Sequence, residues 1–365
     1  MRIAYVDHSY HEKTRSTAFV PEILSRENEV DCFWDETWKL NRADERVVHA
    51  VVNGKYDVVV LFQVFWPAFL LRENGLTNVV MIPMYDAIFR QPDHWWVNYC
   101  LCRFLNFSST LHRRFEGLGL ETRMLQYFPD VPPLPERQNE ALTGFFWQRT
   151  ARIPWTIVSK LIEGTEWARF NLHCATDPGQ GALPMPDIAE TQRRNIVLTD
   201  WFETRAEYHR VVEECQVYFA PRDYEGIGMG FLEAMALGKC VVAPDTPTHN
   251  EYIEHGVNGI LYDPANPQPL DFSNHLEIGR AARKSCIAGQ AAWIAEGEAA
   301  LVDFVCRGRV ADGAHPISWE IRNLRHEITV LRYESKARPS LMWTLASLTY
   351  RFMKPLLLRL GIVRR

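Results

Sequence analysis

Twelve short β-rich apolar runs, separated by stretches mostly too long for hairpins, constrain this chain more than any other feature. Six come first: "RIAYV" (2–6), "VDCFW" (30–34), "YDVVVLFQV" (56–64), "NVVMIPM" (78–84), "FLNFSS" (104–109) and "MLQYF" (124–128). Their apolar residues are continuous rather than alternating, the pattern of strands covered on both faces. The intervening segments suit crossover helices, which gives a parallel, doubly wound sheet. "PDVPPLPERQNEALTG" (129–144) then interrupts with linker composition. A second series follows: "GFFWQR" (144–149), "RFNLHCAT" (169–176), "NIVLTDW" (195–201), "CQVYFAP" (215–221), "KCVVAPD" (239–245) and "NGILYD" (258–263). The expectation is α/β: two tandem doubly wound domains, 1–135 and 136–310, facing across a cleft, with a helical tail over 311–365. A length of 365 residues, beyond one comfortable core, agrees.

"YEGIGMGFLEAMALGKC" (224–240) places three glycines between two glutamates and runs into a helical pattern. The spacing predicts a helix over 231–238, closed by Gly238, with Glu233 in its first turn. The loop before it lies at a strand's carboxyl end, where glycines admit a phosphate or sugar and free amides attract anions. A carboxylate in a first turn also has a purely structural reading, since the helix dipole favours it.

The stretch "YEGIGMGFLEAMALGKCVVAPDTPTHNEYIEHGVNGILYDP" resembles the donor-site signature of retaining GT-B glycosyltransferases, which carry a glutamate pair eight residues apart. "VVMIPMYDA", "FLNFSSTLHRRFEGLG" and "LQYFPD" are similar to less specific segments of that family. The resemblance implies a GT-B fold over residues 1 to about 310, two Rossmann-like domains with the acceptor in the first and a nucleotide sugar in the second. It implies that Glu225 lies against the donor sugar and that Glu233 holds the ribose. It implies further that the main chain of Gly228, Met229, Gly230 and Phe231 lines the sugar and phosphates, and that Arg149 contacts the diphosphate. No metal cofactor is implied. Two features depart from the family: Pro154 stands where a lysine usually follows the arginine, leaving Arg152 or Arg149 alone for the task, and "VDHSYHEKTRSTAF" lacks the glycines of the relatives' first loop.

On the acceptor side, Asp86 follows the fourth strand and either meets the acceptor hydroxyl or starts an Asx turn. His94 with Trp95 and Trp96 offers either a sugar-stacking platform or core aromatics. Ser16 or Thr17 reads as a cap of the first helix. Eight scattered cysteines lack a zinc or redox spacing and read as buried thiols in a reducing cytosol.

The net charge of −5 argues against broad nucleic-acid binding. It is uneven: residues 340–365 hold five basic residues and no acid, so the remainder carries −10. Residues 317–331 show a two-heptad apolar seam, which reads either as a parallel coiled coil joining two copies or as a helix packed on its own domain. Residues 340–365 read as a basic amphipathic helix lying on the inner face of a membrane, or as a protein-docking helix. There is no secretory leader and no membrane span in the sequence reading.

The resulting expectation is a cytoplasmic, membrane-peripheral glycosyltransferase extending a bacterial O-antigen or capsule on a glycan or lipid-linked acceptor. The alternatives are a nucleotide-sugar epimerase or phosphorylase on the same fold, or a non-catalytic tethered subunit.

Overall fold

The structure, a computed structural model, describes residues 1–40, 43–134, 141–177 and 181–308. The heptad seam at 317–331, the basic helix at 340–365 and part of the proline-rich segment lie outside these residues.

The first six strands are β1 (Arg2–His8), β2 (Glu29–Asp35), β3 (Val58–Phe62), β4 (Val79–Ile82), β5 (Arg103–Asn106) and β6 (Thr122–Met124). They form one parallel sheet in the order β2-β1-β3-β4-β5-β6. A second parallel sheet contains β7 (Thr143–Trp147), β8 (Arg169–His173), β9 (Ile196–Thr199), β10 (Val217–Phe219), β11 (Cys240–Pro244) and β12 (Ile260–Tyr262). Its order is β12-β11-β10-β7-β8-β9. Eleven of the twelve expected strands lie on their runs, β6 instead ends at Met124 where the expected run 124–128 begins, and the two-domain α/β reading holds. The continuous-burial reading holds for inner strands such as β3 and β4, whose residues are all buried. It fails for β2 and β9, which as sheet edges are covered less completely and leave Leu198 47% exposed.

Helices cover both faces, as parallel strands require. The domains are joined at the back by apolar packing. Helices His275–Ala292 and Glu298–Cys306, linked by a π-helical turn at Trp293–Gly297, bring residues from beyond the second sheet onto the first. Trp293 packs against Phe19, Tyr127 and Phe107 of the first domain. Gly297 permits the turn, because a Cβ there would lie 2.4 Å from the Trp293 ring. Buried Arg103 donates to the carbonyls of Phe304 and Val305, meeting the negative end of helix Glu298–Cys306.

The front contact is polar. Glu251 of the second domain accepts from the amides of Ser109 (2.7 Å) and Thr110 (2.9 Å) and from the Ser108 hydroxyl (3.0 Å). It thus serves the amino end of helix Ser109–Gly117 in the first domain, where unpaired amides favour a carboxylate. Charge-assisted bonds of this kind are worth about 1.5–3 kcal/mol together with the cost of leaving their donors unpaired. Glu251→Ala should therefore lower the urea midpoint and speed proteolysis near residues 105–112. Unchanged values in both measurements would mean that Glu251 does not hold the domains together.

Candidate active site

The loop at 221–228 follows β10 and enters helix Met229–Ala236. The helix starts two residues earlier than its apolar pattern suggests. Gly228 is the reason: it takes φ +85°, and a Cβ there would lie 1.9 Å from the Phe231 ring. The first helical rung runs from the Leu232 amide to the Gly228 carbonyl at 3.1 Å, so the amides of Met229, Gly230 and Phe231 precede the ladder. Gly230 admits close approach to Tyr218, whose hydroxyl would be 3.1 Å from a Cβ. At the far end Gly238 (φ +73°) closes a Schellman motif, its amide reaching Met235 and the Lys239 amide reaching Ala234.

Glu233 therefore sits in the second turn, not the first, and the simple dipole account of it falls away. It neighbours a group of buried tyrosines. Burial chiefly, with the Glu233 charge adding and Arg149 opposing, pushes the Tyr208 phenol up to about 12. Arg149 and Glu233 thus both act on Tyr208.

A charge cluster joins both domains. Arg149 lies over the Trp147 ring at 4.5 Å and donates to Asp177 Oδ1 from Nε (3.0 Å) and Nη2 (2.8 Å). Arg222 lies 3.6 Å from the other oxygen of Asp177 and donates to Asp86 Oδ2 of the first domain at 3.1 Å. Asp86 Oδ1 is buried with no protein hydrogen-bond partner. The loops meet so closely that a Cβ on Gly226 would be 2.8 Å from Met84 Sδ and 3.1 Å from Asp86 Oδ1. Tyr224 packs its ring 4.3 Å from that of Phe89, closing the same seam.

Glu225 belongs to this cluster. Burial raises its carboxyl to about 7; Arg222 opposes the shift and the Asp86 charge reinforces it. Asp86 is likewise raised by burial against the pull of Arg222. Burial alone would lower the Arg222 guanidinium, but Glu225, Asp86 and Asp177 outweigh it and hold it raised.

Of the candidates named from sequence, the structure gathers Glu225, Asp86, Arg149, Glu233 and the 228–231 main chain at one end of the two sheets. His94 is exposed in the short helix Asp93–Val97 and has no described bond to this cluster. Its neighbours form no platform: Trp96 is fully buried, and Trp95 packs edge-on against it at 4.5 Å. Arg152 faces Asp223 at 3.3 Å, half exposed, while Pro154 is the N-cap of helix Trp155–Leu161. Neither Ser16 nor Thr17 caps a helix; Thr17 donates to buried Asp7 at 2.6 Å. Sequence reasoning missed Arg222 and Asp177. The only signal was "PRDYEG" and "ATDPG", charged residues just past strand ends. Among the described residues no three His, Cys, Asp or Glu converge as a metal set, and no helix is long and apolar enough to cross a membrane.

Residues 160–276 match the family model described as Glycosyl transferases group 1. No curated protein matches the chain by sequence. Among solved structures, the chain is similar to HepE of Anabaena in complex with UDP, at 15% identity and TM-score 0.58, covering 82% of this chain and 100% of that one. It is similar to sucrose-phosphate synthase from Thermosynechococcus elongatus at 14% identity and TM-score 0.60, covering 82% and 98%. It is also similar to the lipopolysaccharide outer core galactosyltransferase WaaB, apo form, at 13% identity and TM-score 0.52, covering 90% and 99%. The structural likenesses establish the GT-B fold, and the matched domain on that fold makes the chain a glycosyltransferase.

The raised Glu225 carboxyl has a thermodynamic consequence. Between 4.5 and about 7 the native state holds a proton that the unfolded chain has released, so stability falls as pH rises through that window. A shift of this size amounts to about 3 kcal/mol at most. Glu225→Gln cannot ionise and should lose less stability than wild type between pH 5 and pH 8. Parallel slopes in urea titrations at those two pH values would contradict the raised carboxyl.

Proposed function

We propose that this glycosyltransferase moves a sugar from a nucleotide sugar to a hydroxyl of a glycan or lipid-linked acceptor, with retention of configuration, in the synthesis of a bacterial surface polysaccharide. The observation that carries the reading is the partly buried charge set Glu225, Arg222, Arg149 and Asp86 at the mouth of the glycine loop.

Glycosyl transfer develops positive charge on the sugar ring and negative charge on the departing diphosphate. The amides at 229–231 and the guanidinium of Arg149 suit the diphosphate. Arg222, partly buried and sharing Asp177 with it, supplies a second cation, the charge that Pro154 cannot provide, which counts against a non-catalytic subunit. Glu225 suits the ring. Its carboxylate form gains most when the ring becomes cationic, so it stabilises the transition state more than the ground state. Glu233, half-buried in the helix behind the glycines, suits the ribose hydroxyls. Asp86, with one oxygen unpartnered, faces the same point from the acceptor domain and suits the incoming hydroxyl.

HepE was solved with UDP-glucose, which makes UDP-sugars the first donors to test, and WaaB is named for lipopolysaccharide synthesis. The basic segment 340–365 suits attachment to the cytoplasmic face of an anionic membrane, where a lipid-linked acceptor is presented.

Ligand binding raises the melting temperature by mass action, so a thermal-shift screen of UDP-, GDP- and dTDP-sugars identifies the donor. With that donor, Glu225→Gln should nearly abolish transfer while keeping nucleotide affinity. Glu233→Ala should weaken UDP-sugar and free nucleotide alike by roughly ten- to a hundred-fold. If Glu225→Gln transfers at most of the wild-type rate with saturating donor, its assigned role is wrong. If calorimetry shows unchanged nucleotide affinity in folded Glu233→Ala, the ribose assignment is wrong.

Deleting 340–365 should leave nucleotide affinity intact and abolish sedimentation with anionic vesicles. Added salt should weaken wild-type sedimentation only in part, because apolar burial is not screened. Equal sedimentation of the truncated chain would remove the tail as anchor.

A further inference from the structure

The segment after β1 has no glycine loop; instead it folds as α1 (Ser9–Thr14) and leads into α2 (Phe19–Leu24). Asp7, at the end of β1, is fully buried and organises it. Its carboxylate accepts from the Tyr5 hydroxyl (3.0 Å), the His8 amide (2.6 Å), the Thr17 hydroxyl (2.6 Å) and His11 Nδ1 (2.7 Å). A carboxylate accepts only, so His11 Nδ1 must carry the proton on that bond and Nε2 is the nitrogen left for another partner.

His11 lines a cavity of about 420 Å³ between α1, α2 and strand β2. This volume is within the range of small-ligand sites, roughly 300–1,000 Å³. Glu12, Arg15 and Glu22 stand on its wall with the Trp34 ring. Arg15 and Glu22 pair with each other at 2.7 Å, so the cavity presents hydrogen-bonding groups of both kinds. Such a wall, polar groups beside one aromatic face, suits a ligand rich in hydroxyls with an apolar ring face.

The α1 wall of the cavity lies on the same side of the sheet edge as the transfer site. The α1 turn follows β1 and Asp86 follows β4, both at the carboxyl end of the same sheet with only β3 between them. At ordinary strand spacing the ends of β1 and β4 are about 10 Å apart, and the cavity itself opens on the β2 side of β1. Phe62 at the end of β3 fills the interval, its ring edge-on to His11 at 6.0 Å. Tyr10, the residue before His11, acts electrostatically on Arg222.

We propose that this cavity binds a carbohydrate portion of the acceptor, with His11 Nε2 as a hydrogen-bond partner and Asp7 as the residue that positions His11. The inference rests on the transferase reading for its link to the acceptor, yet the cavity's own binding is measurable without turnover.

The test is saturation-transfer NMR on the full chain with the methyl glycosides of glucose, galactose, mannose and N-acetylglucosamine as probes. At least one should receive saturation from wild type. His11→Asn retains an amide that can donate to Asp7 but has nothing at the Nε2 position, and should lose at least five-fold of that signal. His11→Gln, which places a polar atom near Nε2, should recover part of it. Asp7→Asn should shift the His11 tautomer in long-range ¹H–¹⁵N spectra and weaken the same glycoside. All three should bind UDP as wild type does. An undiminished signal in His11→Asn would reduce His11 to a structural role and overturn the proposal, as would the failure of all four glycosides to bind wild type. If UDP and the UDP-sugars fail to bind wild type while a glycoside binds through His11, the donor reading falls and this one stands.

Discussion

Arg222 is held between carboxylates from two domains, and much of the front of the molecule follows from it. Burying a guanidinium costs several kcal/mol unless it is paired and hydrogen-bonded. Here Asp86 comes from the first domain, and Asp177 and Glu225 come from the second. Two arginines, Arg149 and Arg222, face three carboxyl groups, so the cluster has more acid than base. The least costly resolution is to leave one carboxyl protonated, and the raised Glu225 is that group. An arriving diphosphate would compete with Asp177 for both arginines. Binding a donor therefore redistributes charge in the cluster that also joins the domains.

The two ends of the domain junction are built from different materials. At the back, Trp293 and helices His275–Ala292 and Glu298–Cys306 make an apolar seam continuous with both cores. Water gives such a seam no substitute for its lost contacts, so it does not open cheaply. At the front, the junction consists of Glu251 on helix Ser109–Gly117, Arg222 on Asp86 and the Tyr224 ring on Phe89. Polar bonds of this kind can be exchanged for bonds to water or ligand at small net cost. The molecule thus has a fixed edge and an exchangeable edge, with the candidate donor site at the exchangeable one.

The strands were legible because buried parallel strands write themselves as continuous apolar runs, and eleven appear where those runs lie, β6 ending at Met124 where the sixth run begins. The edges were less legible, since β2 and β9 look like inner strands by composition while facing solvent in part. Glu225, Glu233 and the glycines were singled out because their contiguous stretch resembles a family signature, and a local stretch is what a sequence displays directly. The start of their helix was not, because it depends on Gly228 adopting a left-handed conformation that apolar periodicity does not register. Arg222 and Asp177 escaped notice for a stronger reason. Their pairing joins residues 45 positions apart and reaches Asp86, 136 positions away. For Trp95 and Trp96 the sequence left a platform and a core reading open, and the fold selects the core one by turning Trp96 inward with Trp95 packed on it.

The two departures from the family pattern can be read as one rearrangement. A chain with proline at position 154 needs a cation for the proposed diphosphate from elsewhere, and Arg222 stands ready in the loop that also carries Glu225. A cation in that place needs a carboxylate partner when the site is empty, and Asp86 answers across the cleft. That closeness leaves the β4 loop less room to serve the acceptor alone. The segment after β1, freed from a glycine turn, carries a side-chain-rich helix fixed by Asp7 instead. Glycines in such a loop bind through main chain and discriminate little; His11, Glu12 and Arg15 present side chains, whose unpaired polar groups penalise a wrong ligand. On this reading donor binding by main chain and arginine is the general part of the site, and the α1 segment is where this chain's own specificity resides.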